Sequence, residues 1–362
     1  MEFELRDIEF QRLRLRNVAA DAGGGRARAT VDLVGTDTRT TRTRPERRVR
    51  EFTFLEDAGA WKIWNESSGG IALELAERLL AAPAAERGHL FESDPELLSD
   101  DALAGLSLHI HRLRSQRQMV GLLEPLTIQA DLARRLGNEP ILAACLLDTG
   151  LLYQITGRQD DAARVFSEAR ALFVKIGTRV DVAVVDANLG AVDYLRADYD
   201  RAASSYRQAL SVFEAEGDEP RMATTLHSLG NAEYMGGNLE EAMSCYQRSL
   251  GLHDKAKNKH GAASVLQALG RLQKDLGDYE PAVEAFTRSL SLSHEITDAV
   301  SEAKAHSGLG ETWGLAGDYG RSLAHLNASQ ALWEKTGDRA NWASALFAIG
   351  HSYALQRAFP RA

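Results

Sequence analysis

Ten histidines and two cysteines are the side chains of this chain best suited to metal or nucleophile chemistry. Their spacing argues against it. His109 and His111 stand two residues apart, so on a helix they point to different sides. Cys245 and His253 are eight apart with no third group to orient them, which a nucleophilic dyad needs. Cys145 and Cys245 read as small buried hydrophobes in a reducing compartment. No His-Glu-x-x-His, phosphate-binding Gly-x-x-x-x-Gly-Lys-Ser/Thr, Gly-x-Ser-x-Gly or EF-hand loop occurs. The chain therefore reads as a non-enzyme with no catalytic residue, metal or cofactor, and its chemistry as non-covalent recognition.

Recognition needs a scaffold, and the scaffold is written in a ladder. Gly150, Gly190, Gly230, Gly270, Gly310 and Gly350 recur every 40 residues. A fixed period of this size marks a solenoid. Twelve residues after successive glycines stand Ala162, Ala202, Ala242, Ala282 and Ser322, and four further on stand Phe166, Tyr206, Tyr246, Phe286 and Leu326. Turn residues fall between these landmarks: Gly157, Ala197-Asp198, Gly237-Asn238, Gly277-Asp278 and Gly317-Asp318, then Gly177, Gly217-Asp218, Lys257-Asn258, Thr297-Asp298 and Gly337-Asp338. Gly with Asp or Asn ends one helix and caps the next. Each unit is thus two helices, the first example running over about 180–195 and 199–216. A glycine inside a helix costs about 1 kcal/mol against alanine. Its repetition requires close packing, which the Gly/Ala pair is expected to allow, with the aromatic filling the space beside it.

Leu-Gly, an aromatic three or four residues on (Tyr153, Tyr194, Tyr234, Trp313, Tyr353) and Ala-x-x-x-aromatic resemble the tetratricopeptide repeat, here 40 rather than 34 residues long. The long form is similar to the repeats of the Leu-Gly-Asn G-protein regulators, whose triplet appears at Leu229-Gly230-Asn231, and to arrays of bacterial CHAT-peptidase proteins. The resemblance implies a mostly α fold, a right-handed α-solenoid superhelix, that binds a protein or peptide segment in a concave groove. It implies a scaffold, or the sensor or adaptor part of a larger bacterial signalling protein. In that family the first helix of each unit lines the groove, at positions three before, one after and four after the glycine. Those positions carry Tyr194, His227, Asn231, Tyr234, Gln267, Arg271, Lys274, Glu311 and His351, besides small residues, Ser307 and Phe347. Asn and Gln would pair with a ligand's backbone, and Arg271 and Lys274 with a carboxylate.

The array is expected over 98–362: a degenerate unit at 98–137 with Ile110 at the glycine position and a second helix near 117–136, full units at about 138–337, and an incomplete one at 338–362. Its last helix carries Trp342, Leu346, Phe347, Ile349 and Tyr353, so the end reads as uncapped, a fragment or a face for another domain, a partner or self-association.

Residues 1–66 alternate apolar and polar, for example Leu13-Arg14-Leu15-Arg16 and Phe52-Thr53-Phe54, and read as a small antiparallel β-meander joined by a helical linker over 67–97. The phrase Phe52 to Trp64 resembles the final hairpin of SnoaL or nuclear-transport-factor-like domains, which leaves small-ligand binding or enzymatic activity of this segment as the alternative reading, beside a peptide-sensing regulator of transcription or signalling. Arg39, Arg42, Arg44, Arg47, Arg48 and Arg50 read as a solvated hairpin rather than a nucleic-acid site, because interleaved stacking aromatics are absent. The formal charge of −9 agrees: no general attraction to nucleic acid is expected. Abundant Ala and a large excess of Arg over Lys suit a GC-rich bacterial gene. No signal peptide or membrane-length apolar run is visible, so the expected compartment is the cytoplasm.

Overall fold

The computed structural model describes residues 8–20, 26–37, 46–57, 60–67, 69–116 and 118–358, with side chains between 72 and 357 except at 95, 117, 119 and 120. The chain divides into two compact units, Met1–Arg158 and Gln159–Ala362.

In the first unit the backbone of β1 (Ile8–Ala20), β2 (Arg26–Asp37), β3 (Glu46–Asp57) and β4 (Ala60–Ser67) is extended and pairs antiparallel in chain order. Arg39, Arg42 and Arg44 and the Gly23–Gly25 connection lie outside the described residues, as do the side chains of Arg47, Arg48 and Arg50. Five helices follow: α1 (Gly69–Ala81), α2 (Arg87–Ser93), α3 (Asp100–Ser115), α4 (Leu123–Leu136) and α5 (Glu139–Ile155). Gly105 of α3 lies directly on the Ala72 carbonyl of α1, where any Cβ would collide with backbone. Ile110 is buried. The second helix expected near 117–136 is shorter: a 3₁₀ turn (Met119–Leu122) precedes α4, which begins only at Leu123. Buried Gln129 bridges this unit. Its Nε2 donates to the Leu103 carbonyl at 3.2 Å and its Oε1 accepts from Cys145 Sγ at 3.0 Å.

The second unit is ten helices in strict alternation. They are α6 (Gln159–Ile176), α7 (Arg179–Leu195), α8 (Tyr199–Glu216), α9 (Glu219–Met235), α10 (Leu239–Lys255), α11 (Lys259–Leu276), α12 (Tyr279–Glu295), α13 (Ala299–Leu315), α14 (Tyr319–Thr336) and α15 (Arg339–Ala358). The odd-numbered helices from α7 carry the ladder glycines. The even-numbered ones carry Ala162, Ala202, Ala242 and Ala282, all fully buried.

The turns keep a step of 20 residues. Positions 137, 157, 177, 217, 237, 277, 317 and 337 are glycines at positive φ, and Ala197, Lys257 and Thr297 hold the same conformation at the intervening places, with φ of 60°, 53° and 55°. The left-handed residue lets the next backbone N–H reach back to the last turn, as from Asp218 to the Phe213 carbonyl at 2.9 Å. At several of these turns the Asp or Asn that follows caps the next helix: Asp198, Asp218 and Asp318 accept from the N–H groups of Arg201, Arg221 and Arg321, whereas the side chains of Asn238 and Asp278 make no such bond.

Packing at the ladder differs from the expected Gly/Ala gap. A Cβ at Gly230 would stand 2.6 Å from the Tyr246 ring, at Gly270 3.0 Å from Phe286 and at Gly310 2.6 Å from Leu326. The glycine thus makes room for the large side chain four residues beyond the alanine. The alanine's share is its backbone: the Ala202 carbonyl would lie 3.2 Å from a Cβ at Gly190. Phe286 is held on two sides, since Gly308 of α13 also lies against its ring. Burying such a ring contributes about 2 kcal/mol. Gly350 has open space around it. A buried hydroxyl adds a rung to each of three units: Ser249, Ser289 and Ser329 donate to the carbonyls of Ala223, Ala263 and Ala303 at 2.7, 3.0 and 2.9 Å.

Candidate functional site

Successive odd-numbered helices of the second unit frame a cleft of about 530 Å³. Tyr194 from α7, His227 and Asn231 from α9, Gln267, Arg271 and Lys274 from α11, and Ser307 and Glu311 from α13 line it. These residues stand three before, one after or four after the ladder glycines, a spacing that keeps them on one helix face. Phe286, Leu326 and Trp333 supply apolar floor from the even-numbered helices.

Two of the expected residues lie elsewhere. Tyr234 does not line this cleft; its hydroxyl donates to the Asp275 carboxylate of α11, tying neighbouring helices together. His351 lines a smaller pocket of about 210 Å³, which shares Lys274 and Glu311 with the cleft. A row that the glycine offsets missed also contributes. Ser264, Lys304 and Ser344 stand six residues before their glycines and line the wall one helical turn away. Extending the three-residue step one turn back along each helix would have found them.

Local bonding decides what each side chain can offer. Lys274 is not the free cation expected: its Nζ donates to Glu311 Oε2 at 2.6 Å and its side chain is only 14 % exposed. Gln267 has its amide N–H groups on the Ser301 carbonyl at 3.0 Å and Ser289 Oγ at 3.2 Å. Its Oε1 is the atom left for a ligand. Asn231 shows the opposite polarity. Its Oδ1 accepts from Tyr246 Oη at 2.8 Å, leaving the Nδ2 donor. Arg271 makes no ion pair or hydrogen bond among the described residues. His227 packs edge-on against the Tyr246 ring, centroids 6.0 Å apart. Burial, with the nearby His253 and Arg271 charges, pulls its imidazole down to about 4, so it stays neutral at pH 7.

Burial keeps both thiols protonated. Burial, reinforced by Asp148, pushes Cys145 up to about 12, and burial with Glu241 and Glu233 pushes Cys245 up to about 11. Among the described residues no three His, Cys, Asp or Glu side chains are grouped to hold a metal ion. No helix there is long and apolar enough to cross a membrane.

The tetratricopeptide repeat family model matches residues 181–255 and 221–293, the stretch that carries the cleft residues from Tyr194 to Phe286. Those residues are tetratricopeptide repeats, and the second unit is a mostly helical solenoid of that kind. No curated protein matches the chain. Among solved structures it is similar to the apo quorum sensor NprR from B. thuringiensis, at 14 % identity over 76 % of this chain and 79 % of that one, with a TM-score of 0.57. Aspartyl phosphate phosphatase F from Bacillus subtilis is similar at 14 % identity over 81 % and 85 %, with a TM-score of 0.56. A Rap protein complexed with competence and sporulation factor is similar at 13 % identity over 78 % and 85 %, with a TM-score of 0.52. At these identities the likeness is one of fold.

Proposed function

We propose that this protein is a recognition scaffold that binds an extended peptide or protein segment in the cleft between α9, α11 and α13, without covalent chemistry. The observation that carries the reading is the polarity of the cleft's free groups. A donor on Asn231 and an acceptor on Gln267 stand on adjacent helices with their other atoms held by the protein. A peptide backbone offers the matching carbonyl and N–H, and a fixed amide pair binds it without first losing its own freedom. Tyr194 and the Phe286, Leu326 and Trp333 floor give side chains somewhere to go. Two of the similar structures lend support in kind: one is a quorum sensor and one holds a bound factor.

On this reading the solenoid is the sensor or adaptor part of a signalling protein, as the resemblance to CHAT-type arrays implies. Residues 1–66 are proposed as a separate β-rich domain, with 67–97 as its helical link to the repeats. On the same reading Tyr234 braces α9 against α11 through Asp275, and His351 belongs to the adjoining pocket.

The test is a binding measurement on the intact chain. A peptide selected from a random display library on the wild type should lose at least about tenfold in affinity to Asn231→Ala combined with Arg271→Ala, the scale expected when charged and neutral hydrogen bonds are both removed. Unchanged affinity, with the helical circular dichroism and melting curve preserved, would move the site away from this cleft.

A further inference from the structure

One helix pair of the array departs from its neighbours. Take the positions four before the ladder glycine and fifteen after it, one on each helix of a unit. The two preceding units fill them with Leu226 and Cys245, then Leu266 and Ala285, all buried. The unit of Gly310 has His306 on α13 and His325 on α14 instead. Their Nδ1 atoms stand 3.0 Å apart, with ring centroids 5.2 Å apart and the planes inclined at 37°. Both rings are half-buried, so packing holds them while solvent still reaches them. Neither lines the cleft.

Packing alone does not call for this pair, since Leu266 and Ala285 fill the same slot one unit earlier. Facing Nδ1 atoms make at most one hydrogen bond, because one ring must give the proton and the other the lone pair. The spacing also suits another occupant. Two imidazole nitrogens on neighbouring positions of one metal ion, each at roughly 2.0–2.1 Å, stand about 2.9 Å apart at a right angle and about 3.4 Å apart at the tetrahedral angle. The 3.0 Å between His306 and His325 falls inside that range. Glu302 stands one helical turn before His306, and its negative charge reaches that ring. Its own near contact is the exposed His294, at 3.7 Å. Among the described residues no third His, Cys, Asp or Glu closes the pair into a cage.

We propose that His306 and His325 form a two-point site for a late first-row divalent ion, Cu²⁺, Ni²⁺ or Zn²⁺, held through both Nδ1 atoms with water or an incoming donor group completing its shell. Imidazole suits these ions, whereas Mg²⁺ and Ca²⁺ take oxygen ligands. On binding, the rings turn with their separation kept. The Nδ1 proton they shared passes through solvent to Nε2 of the same ring, so both imidazoles stay neutral. The ion then ties α13 to α14 in the one unit that carries the pair.

The experiment titrates Cu²⁺ into the tag-free intact chain and into His306→Leu with His325→Ala, which restores the side chains of the preceding unit and so should keep the fold. The wild type should hold its first equivalent at least about tenfold more tightly than this variant. An excess of Mg²⁺ should not displace it. Electron paramagnetic resonance of that first equivalent should show coupling to two imidazole nitrogens in the wild type and to fewer in His306→Gln or His325→Gln. Equal affinity of wild type and double variant, with the same circular dichroism, overturns the proposal. So does a wild-type spectrum without two imidazole nitrogens, a measurement that needs no variant to fold.

Discussion

One methyl group has opposite consequences at two glycines of the ladder. At Gly230 a Cβ would press to 2.6 Å on the Tyr246 ring, itself fully buried and bonded to Asn231. Gly230→Ala is expected to destabilise by about 2 kcal/mol, because overpacking outweighs the gain in helix propensity. At Gly350 nothing lies within 4 Å, so Gly350→Ala should stabilise by up to about 1 kcal/mol. Urea unfolding of the two variants checks both signs. His227 carries a pH dependence of its own. The fold holds it neutral down to about 4, whereas the unfolded chain takes up that proton near 6.5. Unfolding therefore binds a proton between those values, and stability falls as pH drops through that window, by an amount on the order of 3 kcal/mol at its lower end. Above 6.5 neither state is protonated and the effect vanishes. His227→Gln should flatten the acid limb of stability against pH, and a limb as steep as the wild type's would mean the proton goes elsewhere. His253, His306 and His325 are lowered by burial too and leave a residual slope. None of this was visible in the sequence: a histidine at a groove position looks the same whether exposed or packed on a tyrosine.

The helices were legible because their ends are signed. The turn after α7 was readable although Ala197 replaces glycine, since Asp198 caps α8 regardless. What composition hid was the conformation of Ala197, Lys257 and Thr297, three residues with a Cβ in a left-handed turn. Thr297 is branched as well, which makes the position more strained. Thr297→Gly should raise stability by about 1 kcal/mol, the relief of strain exceeding the extra freedom of the unfolded chain. Asp218→Ala should cost about as much by leaving the Arg221 N–H uncapped. Thermal melts of the two variants should move apart; a lower melting point for Thr297→Gly would argue against strain there. Pairings between elements were the illegible part. Lys274 looked free because Glu311 lies 37 residues away, and only the packing of α11 beside α13 brings them together. Gln267 likewise looked available until α12 and α13 claimed its N–H groups.

Across the repeat array, the bonds that hold neighbours together recur at fixed offsets. The Ser249, Ser289 and Ser329 rungs each span 26 residues, and the Arg248 and Arg288 ion pairs each span 34. Exposed ion pairs of this kind contribute little each. Moderate salt should therefore leave the melting temperature nearly unchanged while weakening ligand capture at Arg271, a contrast that one titration series measured by both readouts would check. The unbroken step of 20 residues from 137 to 337 has a consequence for heredity. Every joint in that stretch presents the same left-handed turn to the next helix, so recombination between two equivalent points removes or duplicates a whole pair of helices without the turn having to be reinvented. A lineage built this way can change the length of its array in single genetic events, and can exchange the one segment bearing Arg271 while its neighbours go on fitting together.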